Sequence, residues 1–144
     1  MEKDDAMRIL IDTNILFSAA LFPNSAPHRA FEHATALPNI AIISYQSLEE
    51  LASVFYKKAP NKISLLEQFL VTSLCGIELI AVPSDYIDLE SQIRDIDDRT
   101  IYRAAVNAKA DIILTGDKDL LESGITSPQI LTAREFLDLY DYEL

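Results

Sequence analysis

Two hydrophobic rhythms alternate along this chain. Short, near-continuous apolar runs end on a polar residue at 7–12, 40–44 and 111–115, a further run covers 77–82, and a last short one 130–131. Such runs suit strands buried on both faces. Between them, apolar residues recur at helical spacing. Leu48, Leu51, Ala52 and Phe55 share one face of a segment that Ser44 can cap and that runs to Lys58. Ile63, Leu66, Phe69 and Leu70 do the same within 61–75, and Ile101, Ala104, Ala105 and Ala108 within 98–109. Further helices are expected over 14–21, 27–37 (Pro27 in its first turn), 84–94 and 117–122, the last closed by Gly124. Thr132-Ala133-Arg134-Glu135 has the form of a capping box and opens a final helix.

Strands alternating with helices predict a three-layer α/β/α fold, its central sheet mostly parallel and covered on both faces. No repeat, linker or low-complexity segment interrupts the pattern. With 144 residues, 49% hydrophobic, the expectation is one domain over 7–144 behind a short acidic tail, 1–6. No apolar run is long enough to span a bilayer, and the acidic start has no h-region behind it, so neither a membrane anchor nor a signal peptide is expected. The single cysteine, Cys75, sits in an apolar stretch without a disulfide partner in the chain, which suits a reducing cytoplasm.

The charge sharpens the picture. The net charge is −11, with 23 acidic residues against 12 Lys and Arg. A surface of that sign repels polyanions, unless bound cations neutralise some of the acids. In parallel α/β sheets, ligands sit beyond the carboxyl ends of the strands. Asp12 ends the first strand, Asp117 follows the fourth, Asp97 and Asp98 open the helix before it, and Glu49 and Glu50 lie early in the helix after the second strand. Gathered at one edge, such carboxylates would repel strongly, and a hard divalent cation would remove the cost. An oxygen-only ligand set suits Mg²⁺ or Mn²⁺ rather than Zn²⁺. The competing explanation for each Asp taken singly is helix capping, worth about 1 kcal/mol. Helical phase leaves Glu49 and Glu50 equivalent.

These residues resemble a known family, the PIN domain. "ILIDTNIL" is similar to its opening strand and first acid, "LEELASVF" to its second acidic motif, and "DIDDRTIYRAAVNAKADIILTGDKDLL" to its third and fourth run together. Each motif alone is weak, but the ordered set is specific and covers nearly the whole chain. The resemblance selects Glu50 over Glu49 and implies an acidic, metal-holding catalytic set of Asp12, Glu50, Asp98 and Asp117. Asp119 is a further candidate ligand, and Asn14 and Thr115 are supporting polar positions. It also implies a metal-dependent ribonuclease leaving 5′-phosphate and 3′-hydroxyl ends. Small members are often VapC-like toxins, whose partners would be a small antitoxin and a second copy of the chain.

Setting the four ligand acids aside still leaves the chain strongly acidic, so RNA docking would need local cations. Arg99, Arg103 and Lys118 are the candidates, with ordinary surface pairing as the alternative. Lys57, Lys58 and Lys62 read as a solvated helix end, and His28 and His33 as structural or surface residues. Tyr45 and Tyr102 are expected to pack in the core or at its rim rather than stack on bases. A phosphatase of the haloacid dehalogenase class would need an acid where Asn14 stands, and the paired acids of a response-regulator receiver are missing. The remaining alternative is an inactive PIN-fold binding module.

Overall fold

The computed structural model describes residues 6–73 and 76–140. In chain order these form β1 (Arg8–Ile11), α1 (Thr13–Leu21), α2 (Ala26–Thr35), β2 (Ile40–Ser44), α3 (Tyr45–Lys58), α4 (Ile63–Ser73) and β3 (Ile77–Ile80). After these come α5 (Ile96–Asn107), β4 (Ile112–Leu114), α6 (Lys118–Leu121), β5 (Gln129–Leu131) and α7 (Ala133–Tyr140). The strands make one parallel sheet in the order β3-β2-β1-β4-β5. The sheet grows outward from β1 in one direction through β2 and β3, then in the other through β4 and β5. The reversal puts the topological switch point at the carboxyl ends of β1 and β4, where such sheets bind their ligands.

Strand alternation separates two apolar layers. Ile9 and Ile11 of β1, Ala41 and Ile43 of β2, and Ile112 and Leu114 of β4 face a cluster filled by Leu16, Phe31, Leu51, Phe55 and Phe136. These come from α1, α2, α3 and α7, with Leu66 of α4 beside them. The intervening residues Leu10, Ile42 and Ile113 stand in register across three strands. They face the second cluster, with Ile93, Ile101, Ala104, Ala105 and Leu120. The sheet is therefore buried on both sides, which is why its strands read as continuous apolar runs.

Capping residues fix where the helices begin. Asp12, Ser25, Ser44 and Asp117 each accept a backbone N–H in the first turn of α1, α2, α3 and α6. The capping box before α7 is present in both directions: Thr132 N–H donates to Glu135 and Glu135 N–H donates to the Thr132 hydroxyl. Gly76 admits β3 beside α2, since a β-carbon there would lie 2.3 Å from the Thr35 carbonyl oxygen.

Two expectations change. The helix over 84–94 is not formed; only a short 3-10 turn, Asp88–Gln92, occurs there. Ile87 and Ile93 still pack onto the second cluster, but across irregular chain. What holds this chain is Glu90. It grips the Arg103 guanidinium with bonds of 2.8 and 3.0 Å and accepts the Ile87 N–H, while Arg103 also donates to the Pro83 carbonyl and lies 4.8 Å over the Tyr86 ring. The second change is at α5, which starts two residues earlier than expected, with Asp95 as its cap and Asp98 inside the first turn. Over 61–75 the regular α-helix ends at Ser73 within the described residues, and Cys75 lies outside them.

The Glu90–Arg103 pair, with side chains only 7% and 9% exposed, carries a stability prediction. Removing one partner of a buried pair strands the other charge and costs about 3–5 kcal/mol. Urea denaturation of Glu90→Gln should show a loss of that size. A Glu90→Leu/Arg103→Met double variant should lose less than the sum of the single changes. Additive losses would mean that the two side chains do not act as a pair.

Candidate acidic site at the carboxyl edge of the sheet

The ladder between β1 and β4 continues past the strand ends, with Asp12 N–H donating to the Leu114 carbonyl at 3.0 Å. This brings the side chains of residues 12 and 115 together. Asp12 is 7% exposed and both its oxygens are held: Oδ1 accepts the Thr13 N–H at 2.8 Å and Oδ2 the Thr115 hydroxyl at 2.7 Å. Burial pushes its carboxyl above the usual range; those two hydrogen bonds pull the other way, and the charges of Asp117 and Glu50 add to the rise. The Thr115 oxygen in turn accepts the Asp117 N–H at 3.0 Å, and Asp117 Oδ1 accepts the Asp119 N–H at 2.8 Å. Asn14 braces the same turn by accepting the Gly116 N–H at 3.2 Å.

Asp98 reaches this group from the first turn of α5. Its Oδ2 is buried and has no hydrogen-bond partner. Its pKa is raised to about 7, first by burial, then by contact with the Asp117 carboxyl, then by the charges of Asp117, Asp95 and Asp12. Glu50 approaches from α3, where Oε2 accepts the Thr13 hydroxyl at 3.2 Å. Glu50 and its neighbour Glu49 are both exposed; the bond to Thr13 is what distinguishes Glu50. The structure thus brings Asp12, Asp98 and Asp117 into one electrostatically coupled group, with Glu50 at its edge. Capping and clustering are not alternatives at Asp12 and Asp117, because each does both.

Asp119 completes a second face of the group. Carboxylate oxygens of Asp95, Asp98 and Asp119 lie within 4.8 Å of one another. Asp95 was not singled out from the sequence, although its position opening "DIDD", three residues before Asp98, is that of a helix cap. A carboxylate cluster with one buried unpartnered oxygen fits a hard divalent cation, since every donor is oxygen. Neither histidine takes part: His28 Nδ1 accepts the Asn24 N–H, and the His33 ring packs edge-on to Phe136.

The proposed cations are placed less uniformly. Lys118 is exposed beside Asp117. Arg99 is half-buried and donates through Nε to the Ile93 carbonyl. Arg103 does not belong to a surface patch, because it is buried in the pair with Glu90. Lys57 and Lys58 are exposed at the far end of α3 and Lys62 in the 3-10 turn that follows, as expected of a solvated helix end. Tyr102 is core and Tyr45 is 53% exposed.

A parallel α/β sheet with a carboxylate cluster at its topological switch point defines the class: an α/β protein with an acidic centre at the carboxyl edge of its sheet. The chain belongs to the PIN domain family, a family of nucleases, whose model matches residues 8–119. It is 30% identical over 132 residues to the uncharacterized protein MJ1680 of Methanocaldococcus jannaschii, spanning 84% of this chain and 79% of that one. Among solved structures, the fold is similar to VapBC2 from Rickettsia felis bound to a promoter DNA fragment (TM-score 0.64, 20% identity, 88% of this chain and 98% of that one). It is also similar to PAE2754 from Pyrobaculum aerophilum (0.62, 15%, 96% and 100%). A third likeness is to VapC20 of Mycobacterium tuberculosis, a sarcin-ricin loop cleaving toxin (0.58, 14%, 82% and 96%). At these identities the structural likeness concerns the fold.

The raised Asp98 pKa has a signed consequence. An unfolded aspartate ionises near 3.9, whereas folded Asp98 does so at about 7. Below about pH 4 both states hold the proton. Between about 4 and 7 the folded state holds it and the unfolded state does not, so stability falls as pH rises through that window. In EDTA, the melting-temperature advantage of Asp98→Asn over the wild type should grow from pH 4 to pH 7. Mn²⁺ should oppose it, adding about 2.7 kcal/mol to the wild type at 100 times Kd. A constant gap between the two melting curves across that range would contradict the placement of Asp98.

Proposed function

We propose that this PIN domain is a Mg²⁺- or Mn²⁺-dependent endoribonuclease acting as the toxin of a toxin–antitoxin pair. The observation that carries the catalytic part is Asp98. Its buried oxygen has no partner, and its carboxyl is driven up first by burial and then by Asp117, Asp95 and Asp12. A carboxylate in that setting is stable only with a proton or a cation beside it.

Asp12, Glu50, Asp98 and Asp117 would hold the cation, with Asp119 as a further ligand. When bound, such an ion supplies Lewis acidity for a phosphodiester and lowers the pKa of water. The protein's own contribution is positional. Thr115 fixes Asp12 Oδ2 and the backbone of Asp117 at once, and Asn14 pins the Gly116 turn. The carboxylates are thereby set before substrate arrives, which is where electrostatic catalysis gains most.

The toxin part is supported by the VapC-type proteins among the fold neighbours. On this reading the partners are RNA, a small antitoxin and a second copy of the chain, and the setting is the cytoplasm. Among the described residues, no helix is long and apolar enough to cross a membrane.

The test is cleavage of a mixed pool of structured and single-stranded RNA by the purified protein in Mn²⁺, Mg²⁺ or EDTA. Cutting should require the metal and fall by about 100-fold or more in Asp12→Asn and Asp98→Asn, the size of loss that follows removal of one preorganised stabilising group. Glu50→Gln should impair it more than Glu49→Gln. Expression of the wild type should arrest growth where Asp98→Asn does not. Cleavage by Asp98→Asn at the wild-type rate would overturn the assignment, whereas metal binding without any cleavage would favour a binding module.

A further inference from the structure

We infer that Arg94 is the substrate-phosphate clamp of this site, a residue that receives an RNA phosphate beside the acidic group. The inference rests on the nuclease reading above and adds a docking residue to it. A chain of net charge −11 cannot draw a polyanion by its overall field, so docking depends on cations held at the site itself.

Arg94 is held there. Its Nε and Nη2 both donate to Asp119 Oδ1, at 3.0 and 2.6 Å, and Nη2 lies 3.8 Å from Glu122. Asp119 carries oxygens within 4.8 Å of those of Asp98 and Asp95, so the guanidinium stands one carboxylate away from the cluster. Its base is fixed on both sides, by Ile93, which is fully buried, and by Asp95, which caps α5. Yet its side chain is 75% exposed. Two nitrogens are spent on a single oxygen of Asp119. A guanidinium offers five donors in a planar fork and can bind a phosphate without leaving its carboxylate.

Arg103 is buried with Glu90, and Arg8 pairs with Glu78 at the opposite edge of the sheet. Arg99, beside Asp98, is half-buried and gives Nε to the Ile93 carbonyl, so it is less open to a phosphate than Arg94. Lys118 is exposed at the same edge. It is a point charge, not a fork.

The experiment measures binding of a fluorescein-labelled single-stranded oligoribonucleotide of mixed sequence by anisotropy across a salt series. Ca²⁺ fills the cation site, and Mn²⁺-supported cleavage is assayed in parallel. Arg94→Gln should weaken binding about tenfold and lower the slope of log K against log salt by about 0.7, the value for one single-strand phosphate contact. KM should rise more than kcat falls. Arg94→Lys should keep the slope, and both variants should stay folded, as their melting curves would show. If the wild type cleaves RNA and Arg94→Gln keeps both its affinity and its salt slope, Arg94 is only an ion-pair partner of Asp119 and the clamp is refuted while the nuclease stands. If the wild type neither binds nor cleaves RNA with any of these metals, the nuclease reading fails and the clamp with it.

Discussion

One hydroxyl, that of Thr115, sits at the junction on which the acidic edge depends. It is fully buried, it donates to Asp12 and it accepts from the backbone of Asp117. Its own backbone N–H extends the ladder to Leu131 of β5, just as Asp12 extends it to Leu114 of β4. The parallel pairing of β1 with β4 therefore does more than close the sheet. It fixes the separation of two carboxylates that would otherwise move apart. A threonine suits this place because it supplies one donor and one acceptor from a short, stiff side chain.

The acids oppose folding locally, and the rest of the molecule offsets them. Burial holds Asp12 and Asp98 above their ordinary ionisation range, so each ionised carboxylate costs stability in the folded state. The compensation comes from the two apolar layers that flank the same strands, where Ile9, Leu10, Ile11, Ile42 and Ile113 are all fully buried. Those layers lock strand register, because a slip of one residue would exchange the two faces. Asp12 and Asp117 stand in short connections tied directly to strand ends and helix starts, and Asp98 stands in the first turn of α5, so none of the three hangs on a long loop. This is the arrangement a preorganised charged site requires.

Much of this was legible from residue order. The apolar runs located the strands to within a residue or two, because a parallel sheet buried on both faces imposes no alternation that loops could mimic. Ser44 and Lys58 mark the true start and end of α3, and the box at Thr132 opens α7. The irregular segment before α5 was not legible. Its apolar residues mimic a helical stripe, while the interaction that defines it, Glu90 with Arg103, joins residues thirteen apart across a turn. The same blindness misplaced Arg103 as a surface cation. Asp95 was missed for a related reason. In "DIDD" any of three aspartates can cap, and only the backbone shows that the first one does, which puts Asp98 in the first turn and aims it at Asp117. Glu50 shows the converse: phase left it equal to Glu49, and its contact with Thr13 separates the two.

The capped helix starts have a further consequence. In a parallel α/β fold each helix returns against the strands, so α1, α3 and α5 begin at the edge where the acids gather, at Asp12, Ser44 and Asp95. Each beginning presents roughly half a unit of positive charge from its aligned peptide dipoles. The polypeptide itself thus sets a positive background beneath the negative side chains. No side-chain substitution removes that background, because it belongs to the winding of the chain. Counting formal charges makes this edge look more hostile to an anion than it is.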